Sequence, residues 1–295
     1  MAESAPPPVR SVMKKREALA GWLLLTPAAV LILAFTHWPT LATLFASVYR
    51  PGSAIRQAEF TGLETYAGLA ADPVFLKAVG NNVLYALGTI FPSMVLALVM
   101  ALWLNGRIAA RGAWRLSFFT PTILPMVAAA NIWLFFYTPE IGLLGRDGRN
   151  WLGDPSTALP ALMILSVWKE SGFFMIFYLA GLQSIPSIYR EAAVLEGAGR
   201  WAVFRKITLP LLAPTTLFVL VNAVINAFKK VDHLFILTKG GPNNATNLLL
   251  YYIYETAFSF FDRSYAGALT VVLLVFLAFL AFLNFRLLGK RVHYR

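Results

Sequence analysis

The stretch QSIPSIYREAAVLEGAGRWAVFRKITLP, residues 183–210, decides how this chain is read. Pro186 and Ser187 are residues that start helices. From there Ile188, Ala192 and Leu195 fall on one face at i, i+4 and i+7. Gly197 and Gly199 stop that helix, because glycine reaches backbone angles that other residues avoid. A second short helix carries Trp201, Phe204 and Ile207 on one stripe, and Pro210 stands where proline is tolerated, at the start of a further helix. The stretch predicts helix, glycine turn, helix: an amphipathic unit sized to lodge in a groove on a partner or to lie on a lipid surface.

On both sides of it run long stretches with few charges. A bilayer core takes roughly 20 apolar residues per helix. The stretches poor in Asp, Glu, Lys and Arg predict six spans, at about 18–47, 78–105, 116–138, 156–182, 210–229 and 264–286. The fourth is interrupted by Lys169 and Glu170. The window 240–254 opens on Gly240-Gly241-Pro242-Asn243-Asn244, a loop signal, and Leu248 to Phe258 is too short to cross, which predicts a helix at or beside the membrane. The first apolar run is too long for the core of a signal peptide, so it is expected to stay as a span. The fold class expected is an all-α polytopic membrane protein. A transmembrane domain at 18–286 lies between tails at 1–17 and 287–295, with 183–210 as the connection after span four.

Of the 295 residues 58% are hydrophobic and only 13% charged, against about 25% in a soluble domain. That leaves too little polar surface to cover a globule, so the net charge of +11 does not indicate a nucleic-acid binder. Six spans put both termini on one face. The basic clusters Arg10, Lys14, Lys15 and Arg16; Arg107, Arg111 and Arg115; Arg190, Arg200, Arg205 and Lys206; and Arg286, Lys290, Arg291 and Arg295 all fall there. Only Glu3, Glu17, Glu191 and Glu196 oppose them, so the whole excess lies on that face. Positive residues mark the cytoplasmic side. Both termini and the 183–210 loop are therefore expected inside, with 50–77, 140–154 and 229–263 outside. The absence of cysteine excludes disulfides and thiolate metal sites. His37, His233 and His293 lie near span ends and fit no metal-ligand spacing.

Glu-Ala-Ala, three residues, Gly, nine residues, Ile, one residue, Leu-Pro resembles the cytoplasmic EAA loop of binding-protein-dependent ABC importer permeases. Every fixed position is present: Glu191, Ala192, Ala193, Gly197, Ile207, Leu209 and Pro210. Trp168-Lys169, the run Leu182-Gln183-Ser184-Ile185-Pro186 and Leu237-Thr238-Lys239-Gly240-Gly241-Pro242 extend the likeness to the carbohydrate-uptake branch, the MalF-like and UgpA-like permeases. The chain shows neither the extra N-terminal spans nor the large periplasmic insertion of some MalF-like members. The resemblance implies the type I ABC importer permease fold in a bacterial inner membrane. It implies that the helix bearing Glu191, Ala192 and Gly197 docks in a cleft on an ATP-binding subunit. A second homologous permease, two ATP-binding subunits and a periplasmic or lipid-anchored substrate-binding protein complete the implied assembly. The implied cargo is a mono- or oligosaccharide, with glycerol 3-phosphate or a related polyol or phosphodiester as the alternative.

No phosphate-binding loop accompanies these features. The pattern GxxxxGK[ST] is missing, since Gly289-Lys290 is followed by Arg291. The chain is expected to be no enzyme and to hold no cofactor, with ATP and magnesium on the partner ATPase. A proton- or sodium-coupled carrier would instead tend to show internal repeats and midplane ionisable groups. Charged residues inside spans are costly and face cavities or neighbouring helices, which singles out Lys169 and Glu170, with Trp168 as a flat stacking surface. Adjacent residues on a helix point apart, so these two need not pair with each other. In span five Asn222 and Asn226 share a face at i, i+4, and Lys229 and Asp232 continue towards the outer end. These residues are the candidates for cargo contact. Their alternative roles are asparagine bonds to a neighbouring helix and lysines reaching for the headgroups.

Overall fold

A computed structural model of the chain describes residues 9–50, 59–106 and 108–288. The outer parts of both expected tails, with Glu3, Lys290, Arg291 and Arg295, lie outside the described residues, as does Arg107. The chain is almost wholly helical. Helix α1 (Val9–Ile32) passes through a π-helical turn at Leu33–His37 into α2 (Trp38–Ala46). A two-residue antiparallel pair, β1 (Tyr49–Arg50) and β2 (Glu59–Phe60), aligns Tyr49 with Phe60 and Arg50 with Glu59. Next come α3 (Glu64–Ala71), α4 (Pro73–Asn105), α5 (Arg111–Ile123), α6 (Met126–Tyr137) and α7 (Pro155–Ser184). The loop unit holds α8 (Ser187–Leu195), α9 (Arg200–Val203), a π-helical turn at Phe204–Thr208 and α10 (Leu209–Leu211). The chain closes with α11 (Ala213–Lys229), α12 (Asp232–Leu237), α13 (Leu249–Tyr254) and α14 (Arg263–Leu288).

Among the described residues, four helical stretches are long and apolar enough to cross a membrane: Glu17–Ala46, Pro73–Asn105, Pro155–Ser184 and Arg263–Leu283. Two further crossings arise only if bent pairs count as single spans. One is α5 with α6, bent by 99°; the other is Arg200–Leu211 with Ala213–Leu237, bent by 65°. Prolines account for the first bend. Pro125 has no N–H to continue the α5 ladder, and Leu124 before it is extended at ψ 134°.

The core is built around α7, which packs against α4 along their lengths. Phe174, Met175, Tyr178 and Leu179 of α7 are buried with Ala97, Ala101 and Leu104 of α4 and with Leu212 and Val219. Small residues set the spacing, as expected where helices associate without a hydrophobic drive from water. Gly172 lies so close to α5 that a Cβ there would run into the Phe118 carbonyl oxygen. The first span is the exception. None of its most apolar window is buried against the described residues, and it joins the bundle through α2 on α14. There Gly267 approaches the Ser47 backbone.

The 229–263 region, expected between the last two spans with a short helix at or beside the membrane, packs against the bundle. Leu234, Leu248, Leu249, Tyr251 and Tyr252 are buried. Its backbone is held by the polar side chains of α4. Lys77 Nζ donates to the Asn243 carbonyl at 2.6 Å, and Asn81 Nδ2 donates to the carbonyls of Asn244 and Asn247 at 2.8 and 3.0 Å. Asn82 Oδ1 accepts from the Leu249 N–H at 2.8 Å. Tyr85 Oη lies 3.0 Å from His233 Nε2 and 2.6 Å from Ser166 Oγ. Just before α4, Asp72 Oδ2 accepts from both Tyr252 and Tyr265 hydroxyls at 2.6 Å, while its Oδ1 caps the helix at Val74 N–H. Because these carbonyls and N–H groups are satisfied by side chains, the irregular backbone can be buried.

Candidate functional site

A polar cavity of about 260 Å³ lies where α5, α7 and α11 meet, lined by Thr122, Lys169, Glu170, Phe173, Asn222, Asn226 and Lys230. Four residues expected to contact cargo are thus brought together: Lys169, Glu170, Asn222 and Asn226. Lys169 and Glu170, adjacent on α7, point to different neighbours. The Lys169 ammonium donates to the carbonyls of Pro121 at 3.0 Å and of Leu124, with Thr122 O at 3.5 Å. Thr122 Oγ1 donates back to the Lys169 carbonyl at 3.1 Å. Glu170, buried, accepts from Lys230 Nζ at 2.9 Å. Asn222, which lines the pocket, donates its Nδ2 to Phe218 O one turn back at 2.8 Å, a bond in which its acceptor Oδ1 takes no part.

Trp168, Lys229 and Asp232 are placed elsewhere. Trp168 lines a separate apolar cavity of about 810 Å³ and meets Trp133 edge-on at 5.7 Å. Lys229 and Asp232 are exposed and line no part of the polar cavity. The reason is local: α11 ends at Lys229, and Lys230 turns into extended backbone at ψ 111°, so the helical spacing that points to Lys229 stops applying. The second cation in the pocket, beside Lys169, is Lys230, which helical periodicity does not indicate. The usable signal is the carboxylate of Glu170, whose burial in a span demands a partner. The buried group of Tyr85, Ser166 and His233 is likewise not indicated by any spacing in the sequence.

The 183–210 unit has the predicted order of elements. Pro186 precedes α8, and Gly197 ends it at φ +76°, in the left-handed region that favours glycine. The Ala198 N–H returns to Ala193 O at 2.9 Å, closing the helix end. Of the seven motif positions, Ala193 is buried, Ile207 is half-buried, and Glu191, Ala192, Gly197, Leu209 and Pro210 are exposed. Ile188, Val194 and Leu195 stand 65%, 65% and 89% exposed, so the apolar side of α8 has nothing of the described chain upon it. A shallow recess formed by Ser187, Arg190, Glu191, Val194 and Leu195 runs along it.

Known proteins match this architecture. The chain is 32% identical over 280 residues to the sn-glycerol-3-phosphate transport system permease protein UgpA of Agrobacterium fabrum, covering 92% of this chain and 96% of that one. It is 33% identical over 274 residues to the trehalose/maltose transport system permease protein MalF of Thermococcus litoralis, covering 90% and 93%. A solved bacterial ABC transporter, involved in the import of the acidic polysaccharide alginate, shares the fold with a TM-score of 0.80 at 22% identity, over 94% of this chain and 99% of that one. Residues 68–294 match a family described as the binding-protein-dependent transport system inner membrane component, and this chain belongs to that family.

Proposed function

We propose that the chain is a permease subunit of an ATP-binding cassette importer that takes up a mono- or oligosaccharide delivered by a substrate-binding protein. It works beside a second homologous permease and two ATP-binding subunits, which hold the ATP and magnesium. Both termini and the 183–210 loop face the cytoplasm. The observation that carries this reading is α8: an amphipathic helix outside the bundle, its apolar side chains uncovered, ended by a left-handed glycine. Such a helix fits a groove on a soluble partner. There Glu191 offers a carboxylate to a basic group across the interface.

In this mechanism the loaded binding protein docks on the outer segments. Closure of the ATPase dimer moves α8 and, through the 65° bend after α10, the helix α11 that lines the pocket. The pocket offers acceptors: Asn222 Oδ1, the Asn226 carboxamide and Glu170. These suit hydroxyl donors on a sugar. UgpA belongs to an sn-glycerol-3-phosphate transport system, and the second reading, glycerol 3-phosphate or a related polyol, rests on Lys169 and Lys230 in the same pocket.

The deciding experiment reconstitutes the complex with its binding protein and measures ATPase stimulation by neutral sugars and by glycerol 3-phosphate. Stimulation by a neutral sugar supports the first reading, and stimulation by the phosphate ester alone supports the second. A chain that purifies without any P-loop ATPase and transports unaided overturns both.

A further inference from the structure

The bend between α5 and α6 leaves backbone carbonyls without their helical donors. In an unbroken α-helix the oxygens of Pro121, Thr122 and Leu124 would accept from residues 125, 126 and 128. Residue 125 is proline and has no N–H, and the 99° turn carries the N–H groups of α6 away. Within a membrane a carbonyl left unsatisfied is costly, because no water is there to bond it. The ammonium of Lys169 lies against all three oxygens. It also sits at the negative end of the α5 dipole, where a cation is favoured.

We propose that Lys169 is a positioning residue for this bend, its ammonium replacing the main-chain donors withdrawn at Leu124–Pro125. What it positions is the pocket wall, through Thr122, whose hydroxyl is bonded back to the Lys169 carbonyl. Lysine suits the task because its three donors can meet three acceptors at once. Its neighbour Glu170 holds the end of α11 through Lys230, so two successive residues of α7 fix both broken spans. This role of Lys169 is the same whether or not cargo touches the pocket.

The test measures the bend directly. The chain has no cysteine, so Leu116→Cys and Phe135→Cys, 63% and 56% exposed on α5 and α6, place two spin labels in the full chain. Pulsed electron resonance on the complex in lipid nanodiscs gives their distance distribution. K169R, which keeps a cation with several donors, is expected to retain the narrow native distribution. K169M is expected to shift or broaden it. K169Q, with two amide donors and no charge, is expected to fall between them. If K169M and K169Q are lost from the membrane while K169R is retained, the proposal is also supported, because a lysine serving only cargo is dispensable for folding. A native distribution in K169M, or an equal disturbance in K169R, overturns it.

Discussion

At the scale of single residues, close approach and buried charge divide the labour. Gly172 and Gly88 make a controlled comparison. A Cβ on Gly172 would meet the Phe118 carbonyl, which is backbone, whereas one on Gly88 would meet the thioether of Met163, the far end of a flexible side chain. Gly172→Ala should therefore destabilise the protein by about 1–3 kcal/mol, as overpacking does, with Gly88→Ala distinctly milder. Thermal unfolding of the purified complex reads both; equal midpoints for the two variants contradict the packing described.

Asp72 gives the pH-dependent case. Burial pushes its carboxyl up, but hydrogen bonds from Tyr252, Tyr265 and the N–H groups of Val74 and Phe75 outweigh that and hold it below the ordinary aspartate value of 3.8. A folded-state pKa below the unfolded one means stability present above the ordinary value and lost as pH falls through the folded one. The wild type should melt above Asp72→Asn at pH 7, with the gap closing as the pH drops below 3.8. Residues of this kind were only partly legible. Lys169 and Glu170 stood out because charge inside a span is rare, but a sequence does not say that one of them meets carbonyls and the other a lysine sixty positions on.

At the scale of elements, charge-free windows located apolar chain but were blind to bends. The window at 116–138 holds α5 and α6 at 99°, and its only warning was Pro121 and Pro125. The window at 210–229 likewise runs across a 65° break at Leu212, flanked by Pro210 and Pro214. By contrast, the loop unit was readable residue by residue, since its turn depends on local glycine conformation. That dependence can be tested. Gly197 has φ +76°, and nothing lies within 4 Å of where a Cβ would stand, so Gly197→Val strains the backbone without a clash at that atom. The variant should insert and fold, yet lose much of its ATPase-subunit retention and coupled transport. Glu191→Lys should do the same by reversing a charge at the recess beside α8. Normal co-purification and normal transport in both variants would remove α8 as the docking element.

At the scale of the whole molecule, the proposed orientation rests on the uneven distribution of charge. The cysteine-free chain permits a clean test with a membrane-impermeant maleimide. Trp201→Cys, at a side chain 70% exposed, should react only in inverted vesicles, and Leu143→Cys, also 70% exposed, only in right-side-out ones. The reverse pattern would invert the topology. Overall helical character and the presence of several membrane-length apolar stretches were legible because hydropathy is additive along the chain. The packing of 229–263 was not, because its partners on and just before α4 lie some 148–180 positions away.

That last separation has a consequence in time. Asp72, just before α4, and Lys77, Asn81, Asn82 and Tyr85 in its first half all bond to residues between Ala227 and Tyr265. Ribosomes add roughly 5–20 residues per second, so the 193 residues from Asp72 to Tyr265 take on the order of 10–40 s to make. For most of that interval α4 is already synthesised while the chain that satisfies its polar side has yet to appear. Water, lipid headgroups or the insertion machinery must serve those side chains until the second half of the protein arrives to relieve them.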